Sequence, residues 1–231
     1  MALYTPRKVV LNWYKYDVSF SIELIESFIK GIERQAEDSI HRYEQQKETV
    51  VLDEAAEENY ARVIEVHQGL DDESWNLRGI FCEYFPNLQR RSALLTICGY
   101  FEHELDKLCM QYQSEKSFKV ALTDIIGKGI DRSTTYLEKV VGIDVHKTSE
   151  EWNHIKMIQK IRNVIVHQDG KLHNPQGKSI KAVIDYIRQV EYLEDKDDEV
   201  AVKKGFLKHV VDNYKQYFKL LNQSISSEQK A

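Results

Sequence analysis

Long runs of apolar residues at helical spacing constrain this chain more than any other feature of its sequence. Three runs, residues 21–43, 87–112 and 205–221, place apolar side chains three and four positions apart and contain no proline. One face of an α-helix has this period, so each run predicts a long amphipathic helix. With only three prolines and ten glycines in 231 residues, little in the sequence interrupts such helices.

Shorter segments complete the predicted arrangement. Further helices are expected at residues 53–67, 72–85, 131–141 and 179–188. Asp53 is the expected N-cap of the first of these, and Gly69 follows it as a stop. Residues 189–193 and 199–202 alternate apolar and polar side chains around an acidic loop, which predicts a small β-hairpin before the last helix.

The expected fold class is all-α. Residues 86–224 are expected to form an up-and-down helical bundle, with residues 1–85 packed on it as an N-terminal helical extension and residues 225–231 as a polar tail. A chain of this length buries roughly 70–75% of the surface that its unfolded form exposes, so one sizeable core needs no disulfide or structural metal.

Cysteine use and hydropathy predict a soluble protein of the cytoplasm. Cys82, Cys98 and Cys109 are odd in number and lack CxxC spacing, which predicts buried reduced thiols. The N-terminus, MALYTPRKVV, has no apolar segment of signal-peptide length, and no run approaches the ~18 apolar residues of a membrane span. Because no histidine or cysteine pair has the spacing of a metal site, neither a metal nor a cofactor is expected.

The charge of this chain is distributed unevenly. The formal net charge is −5, and the acids concentrate in residues 53–58, 71–73 and 194–199. Residues 152–168 contain two lysines, one arginine and two histidines but no acid. Contacts to phosphate depend on the field of one face and not on the sum over the chain, so this segment is a candidate surface for nucleic acid.

The helix that carries this basic segment is expected to begin at a capping box formed by Thr148 and Glu151, and to end at Gly170. At 100° per residue, one side of it is apolar and the other is polar. The apolar side consists of Ile158, Ile161 and Ile165. The polar side consists of Lys156, Gln159, Lys160, Asn163 and His167, with Arg162 at the border.

Arg162 and His167 are residue types suited to RNA cleavage without a metal. That reaction needs a base for the 2′-hydroxyl, an acid for the leaving 5′-oxygen and a cation for the charge that develops on phosphorus. Histidine supplies the base and the acid in its two protonation states, and arginine supplies the cation. One chain offers only one of each, so a two-fold dimer is required to supply both histidines. An arginine and a histidine near a helix end also occur in simple solvated basic faces, and the spacing alone leaves that alternative open.

The pattern Arg162-Asn163-x3-His167 resembles the motif of the HEPN superfamily (higher eukaryotes and prokaryotes nucleotide-binding). Its ribonuclease members carry an arginine and a histidine four to six positions apart, usually with a polar residue after the arginine. Residues 152–172 resemble the motif helix of stand-alone bacterial members, and residues 90–109, with Phe101-Glu102, resemble the long helix beside it. The resemblance covers roughly residues 86–221.

The resemblance implies a role for each residue of the motif. Arg162 would be the cation that contacts phosphate, His167 the general acid and base, and Asn163 the group that orients them. Glu102 would hold Arg162 or Asn163, or form an ordinary surface salt bridge. Lys156 and Lys160 would bind RNA nonspecifically, or be solvated. A toxin branch of the family has a tyrosine two positions after the histidine; Asp169 stands there in this sequence, so tyrosine adenylylation is not expected.

The resemblance therefore predicts a metal-independent endoribonuclease that cleaves single-stranded RNA through a composite site at a homodimer interface. A toxin or an anti-phage abortive-infection effector, controlled by an antitoxin or a defence-system partner, is the expected biological setting. The alternative is a non-catalytic HEPN-type module that binds RNA, a nucleotide or another protein. A third hypothesis is a helical scaffold in which the motif is coincidental.

Overall fold

The computed structural model describes residues 12–55, 60–173 and 176–228, without the side chains of residues 53–55, 60 and 61. The protein is mainly helical, with 68% helix and 12% strand. Residues 1–11, at which no signal peptide is expected, and residues 229–231, the end of the predicted polar tail, lie outside the described residues.

Four long helices form the body of the protein. They are α1 (Ser19–Gln46), α3 (Phe85–Lys116), α5 (Glu150–Gln168) and α7 (Phe206–Glu228). Three shorter helices join them, namely α2 (Leu77–Gly79), α4 (Gly129–Tyr136) and α6 (Lys181–Gln189). Single π-helical turns precede α1 at Tyr14–Val18, connect α2 to α3 at Ile80–Tyr84 and extend α4 at Leu137–Val141, and a 3₁₀ turn lies at Leu122–Asp124.

Helices α3 and α7 lie at the centre of the main hydrophobic core. The ring of Phe101 in α3 stacks on that of Tyr214 in α7 with centroids 4.0 Å apart, and both side chains are fully buried. Trp152 of α5 packs against Tyr217 from one side, and Trp13, ahead of α1, packs against Phe218 from the other. The apolar face of α5 is therefore fixed against the most tightly packed part of the molecule.

The three long helices expected at residues 21–43, 87–112 and 205–221 are confirmed, and each extends beyond its predicted bounds. The largest extension is at the end of α7, which continues to Glu228. Ile225 is fully buried there. Residues 225–228 are therefore helical, although they were expected to belong to a polar tail, because burial of one apolar side chain outweighs the polar composition around it.

The helix expected at residues 53–67 is wrong. Strand β1 (Glu48–Ala55) pairs antiparallel with β2 (Tyr60–His67), which also pairs with the short strand β3 (Leu70–Asp71). In the ladder Val50 opposes Ile64 and Val51 opposes Val63. Such β-branched side chains favour strands, so the N-terminal region contains a three-stranded sheet and the expected all-α class becomes mainly α.

The helix expected at residues 72–85 is wrong at both ends. The first helical turn begins only after Asn76, whose side-chain oxygen accepts a hydrogen bond of 2.9 Å from the Gly79 backbone N–H. The helical conformation also does not end at residue 85, because the π-helical turn continues directly into α3. Pro86 lies in the first turn of α3, where its fixed φ is compatible with the helical conformation.

The sheet is attached to the helices by a second, smaller core. Tyr43 of α1, Leu77 of α2 and Phe81 form this cluster. The imidazole of His67 meets the rings of Tyr43 and Phe81 edge-on, with centroids 5.3 and 4.6 Å away. The β1–β3 sheet is thus held to the rest of the protein by aromatic contacts.

The β-hairpin expected before the last helix is present. Strand β4 (Leu193–Lys196) pairs antiparallel with β5 (Glu199–Val202). The hairpin begins later than expected because α6 extends through Gln189. In the described part of the chain, no helix combines the length and the apolar character needed to cross a membrane.

Candidate functional site

The candidate site lies on α5, whose start is fixed by a serine cap. Ser149 has extended backbone angles, and its side chain accepts a hydrogen bond of 3.1 Å from the Trp152 N–H. The expected capping box of Thr148 and Glu151 is therefore wrong by one residue. Serine and threonine cap helices almost equally well, so the sequence did not distinguish the two positions. Glu150 and Glu151 lie in the first turn, where the helix dipole favours negative charge.

The end of α5 agrees closely with the expectation of a left-handed residue near Gly170. Asp169 takes that conformation first, with φ 51°, and Gly170 follows with φ 84°. The Gly170 N–H donates to the Val164 carbonyl over 3.1 Å, which closes the last turn. His167 therefore lies in the last turn, two residues before the chain leaves the helix.

The division of α5 into an apolar and a polar side is confirmed. Ile158 and Ile161 are fully buried and Ile165 is nearly so. Lys160, Asn163 and His167 are exposed, and Arg162 lies half-buried at the border. The buried side packs on α7 and α3, so the exposed side is presented from a rigid support.

Two residues of the motif are in direct contact. The Arg162 Nη1 donates a hydrogen bond of 3.0 Å to Asn163 Oδ1. Neighbouring residues on a helix point 100° apart, so this bond draws the long arginine side chain round toward the polar side. His167 lies one turn beyond Asn163, and among the described residues it has no hydrogen-bond or ion-pair partner. The structure thus places all three motif residues on one exposed surface.

The supporting residues of the motif lie elsewhere than expected. Within the described residues, Glu102 forms no ion pair with Arg162 and no hydrogen bond with Asn163. It lies instead beside the start of α4, where a methyl group placed on Gly129 would be 3.1 Å from Glu102 Oε2. Lys156 Nζ bonds to both carboxylate oxygens of Asp131 at 2.8 and 2.7 Å. Its charge is therefore largely compensated before any ligand arrives.

Two of the three cysteine thiols are buried in the core. Burial raises the pKa of Cys98 to about 11, although a hydrogen bond from Tyr214 and the nearby Arg162 charge act in the opposite direction. Burial also raises the pKa of Cys109, and its thiol donates to the Ser133 carbonyl. The prediction of buried reduced thiols is confirmed for these two residues, whereas Cys82 is only half-buried.

A buried arginine behind the end of α5 was not identified from the sequence. The Arg91 side chain is only 4% exposed, and its Nη2 bonds to Asp169 Oδ1 over 2.8 Å. Glu199 of β5 lies 3.9 Å from its Nη1. A charged residue within the apolar stripe of α3, three positions before Leu94, was the signal in the sequence that could have revealed it.

A histidine network fastens the segment that follows α5, and it too was missed. The His173 Nε2 is 2.8 Å from Ser179 Oγ, and its Nδ1 is hydrogen-bonded to the Asp198 carboxylate. Since Asp198 is in the turn between β4 and β5, the network ties this segment to the hairpin. His173 thereby contributes to the support of the site.

Within the described ranges, no group of three or more histidine, cysteine, aspartate or glutamate side chains is arranged to hold a metal ion. Half-buried Arg162 and exposed Asn163 and His167 bring together a cation, an amide and an imidazole, which suits a phosphodiester ligand. Comparison of this chain with protein-family models, with characterised proteins and with solved structures finds no match.

Proposed function

We propose that this protein is a metal-independent endoribonuclease of HEPN type that cleaves single-stranded RNA as a homodimer. The observation that carries the proposal is the exposed face of α5, on which Asn163 engages Arg162 and His167 follows one turn later. The resemblance of residues 86–221 to the superfamily supports the same assignment.

The proposed reaction is an internal transesterification. His167 of one subunit, in its neutral form, takes the proton of a 2′-hydroxyl while the 2′-oxygen forms a bond to the adjacent phosphorus. The bond from phosphorus to the 5′-oxygen breaks, and the protonated His167 of the partner subunit gives its proton to that oxygen. Arg162 donates hydrogen bonds to the phosphoryl oxygens, where negative charge increases in the transition state. The products are a 2′,3′-cyclic phosphate and a free 5′-hydroxyl.

The need for two histidines leads to the dimer. A two-fold axis that brings two copies of α5 together supplies both the base and the acid around one phosphate. Val166, on the same end of α5, is 43% exposed. In the proposed dimer Val166 would lie in the interface beside the motif.

A cell must control a ribonuclease of this kind. We therefore place the protein in the cytoplasm as a toxin or an anti-phage abortive-infection effector, kept silent by an antitoxin or a defence-system partner until it is triggered. The N-terminal helix and sheet, which lie outside the resemblance, are the part of the chain available for such control.

The direct test is cleavage of single-stranded RNA by the purified protein in EDTA. We expect His167→Ala and Arg162→Ala to reduce the cleavage rate by about 10²- to 10⁴-fold, while the dimer persists in size-exclusion chromatography. The matched controls are His41→Ala and Arg34→Ala, two exposed residues of α1, and these should cleave at the wild-type rate. If neither substitution in the motif changes the cleavage rate, this site is ruled out.

A non-catalytic binding module is the second candidate. The outer side of α1 and of the π-helical turn before it favours it, because Tyr16, Phe20 and Leu24 are 58%, 67% and 72% exposed there, four positions apart. Such an apolar stripe is suited to contact with another protein. Wild-type protein that binds RNA, a nucleotide or a partner protein without cleaving RNA at any pH would decide for this candidate.

A further inference from the structure

We propose that Arg91 is a positioning residue of the candidate site. From within the core it holds the end of α5 in place and keeps the Asp169 carboxylate away from the phosphate that His167 would meet. The inference rests on the proposed ribonuclease function.

The two partners of the Arg91–Asp169 ion pair differ strongly in burial. Its side chain is 4% exposed, whereas that of its partner Asp169 is 81% exposed. A buried guanidinium is costly unless it is paired, and its Nε is buried without any hydrogen-bond partner in the described structure. The 2.8 Å bond to Asp169 is therefore the contact that stabilises this charge most. Arg91 therefore has a strong preference for keeping the Asp169 carboxylate at hydrogen-bond distance.

The backbone at the end of α5 is shaped to admit the guanidinium. A methyl group placed on Gly170 would lie 2.9 Å from Arg91 Nη2 and 3.0 Å from its Cζ. Gly170 also has φ 84°, a conformation that favours glycine. Arg91 thus packs directly on the Gly170 backbone, and it constrains the position at which the helix ends.

The residues after α5 are secured from a second direction. The Gly170 carbonyl accepts a hydrogen bond of 2.9 Å from the Val200 N–H, and the Leu172 N–H donates one of 2.8 Å to the Asp198 carbonyl. These bonds add the segment to the edge of β5. Contacts with β5 and with Arg91 therefore fix the end of α5 from two directions.

The consequence for His167 is electrostatic as well as geometric. Asp169 is two residues away, so a freely moving Asp169 carboxylate would place a negative charge close to an incoming phosphate. Pairing with Arg91 compensates that charge and holds the carboxylate against the guanidinium. The same guanidinium lies 3.9 Å from the carboxylate of Glu199, another acid beside the segment.

The experiment compares cleavage kinetics of wild type, Arg91→Gln and Arg91→Gln/Asp169→Asn on one short single-stranded RNA. We expect Arg91→Gln to raise KM by about tenfold and to lower kcat, because the freed carboxylate repels the substrate and the helix end loosens. The second substitution removes that carboxylate, so KM should return to within about twofold of wild type while kcat stays low. A purely structural role of Arg91 predicts no such rescue.

The matched control is Arg90→Gln. Arg90 is the neighbouring arginine of α3, and it pairs with Glu33 of α1 over 2.8 Å, with both side chains mostly buried. Its loss removes a comparable ion pair away from α5, so we expect lower thermal stability and an unchanged KM. If Arg91→Gln does not fold, Asp169→Asn alone serves, and it should lower kcat without raising KM.

The outcomes separate the two proposals. Wild-type protein without cleavage overturns the ribonuclease proposal and this inference with it. Cleavage by the wild type together with wild-type kinetics of Arg91→Gln, or with no rescue by Asp169→Asn, overturns the role of Arg91 alone. If only Asp169→Asn can be measured, kcat and KM values equal to those of the wild type also overturn the role of Arg91.

Discussion

The two halves of α5 differ in how their polar side chains are paired. In the N-terminal half, Lys156 bonds to Asp131 of α4, and the His154 Nδ1 is 3.1 Å from the Tyr186 hydroxyl of α6. His154 also lies beside His209 of α7, whose pKa is lowered by burial and by the neighbouring imidazole. These side chains are engaged by the protein itself.

In the C-terminal half, Lys160, Asn163 and His167 are exposed to solvent. Lys160 and His167 have no partner among the described residues, and Arg162 bonds only to Asn163 beside it. Both halves are equally well anchored through their buried isoleucines, so the difference does not reflect stability. This difference is what the proposed function requires, because the charged and imidazole groups of the C-terminal half are available to RNA whereas Lys156 and His154 are already paired.

The largest expected difference between the two halves comes from substitutions of two asparagines of α5, one in each half. Asn163→Ala removes the group that holds Arg162, and we expect it to lower kcat for RNA cleavage by about 10- to 100-fold, because misplaced catalytic groups cost about that much. Asn153→Ala, at an exposed position of the N-terminal half, should leave kcat unchanged. Steady-state kinetics on one RNA measure both. Equal effects of the two substitutions would show that the halves do not differ in function.

Much of the helical architecture could be predicted because helical periodicity is local. The runs around Phe101 and Phe218 repeat their apolar positions over several turns, which only a helix satisfies. Residues 53–67 were misassigned because Tyr60, Val63 and Ile64 fit a helical spacing over too few turns. What decides their structure is the pairing of β2 with β1, and a partner strand is not visible in a local pattern.

The same contrast applies to the candidate site. Arg162, Asn163 and His167 belong to one helix, so their shared surface followed from 100° per residue. Arg91 precedes its partner Asp169 by 78 positions, and the two meet only because α3 packs beside α5. Glu102 was expected to support the motif from the same helix α3, but it lies beside Gly129 instead. Contacts between helices depend on their packing, which the sequence pattern did not specify.

A smaller effect, on the free energy of unfolding, is expected from substitutions at the start of α5. Ser149→Ala removes the side-chain acceptor for the Trp152 N–H, and we expect it to lower the free energy of unfolding by about 1 kcal/mol. Thr148→Ala should change it by less than about 0.5 kcal/mol, because Thr148 lies outside the cap. Urea denaturation followed by circular dichroism measures the difference. A larger loss for Thr148→Ala would restore the capping box expected from the sequence.

The smallest expected effect compares the two lysines of the polar side. Lys160→Ala should weaken binding of single-stranded RNA by about threefold and reduce the slope of log affinity against log salt by about 0.7, since one phosphate contact is lost. Lys156→Ala should weaken binding by less than about twofold, because Asp131 already compensates the Lys156 charge. Fluorescence anisotropy with RNA that lacks the reactive 2′-hydroxyl, measured from low to moderate salt, reports binding without cleavage. Equal losses for the two lysines would mean that the bond to Asp131 opens when RNA binds, and the basic surface would then extend along the whole of α5.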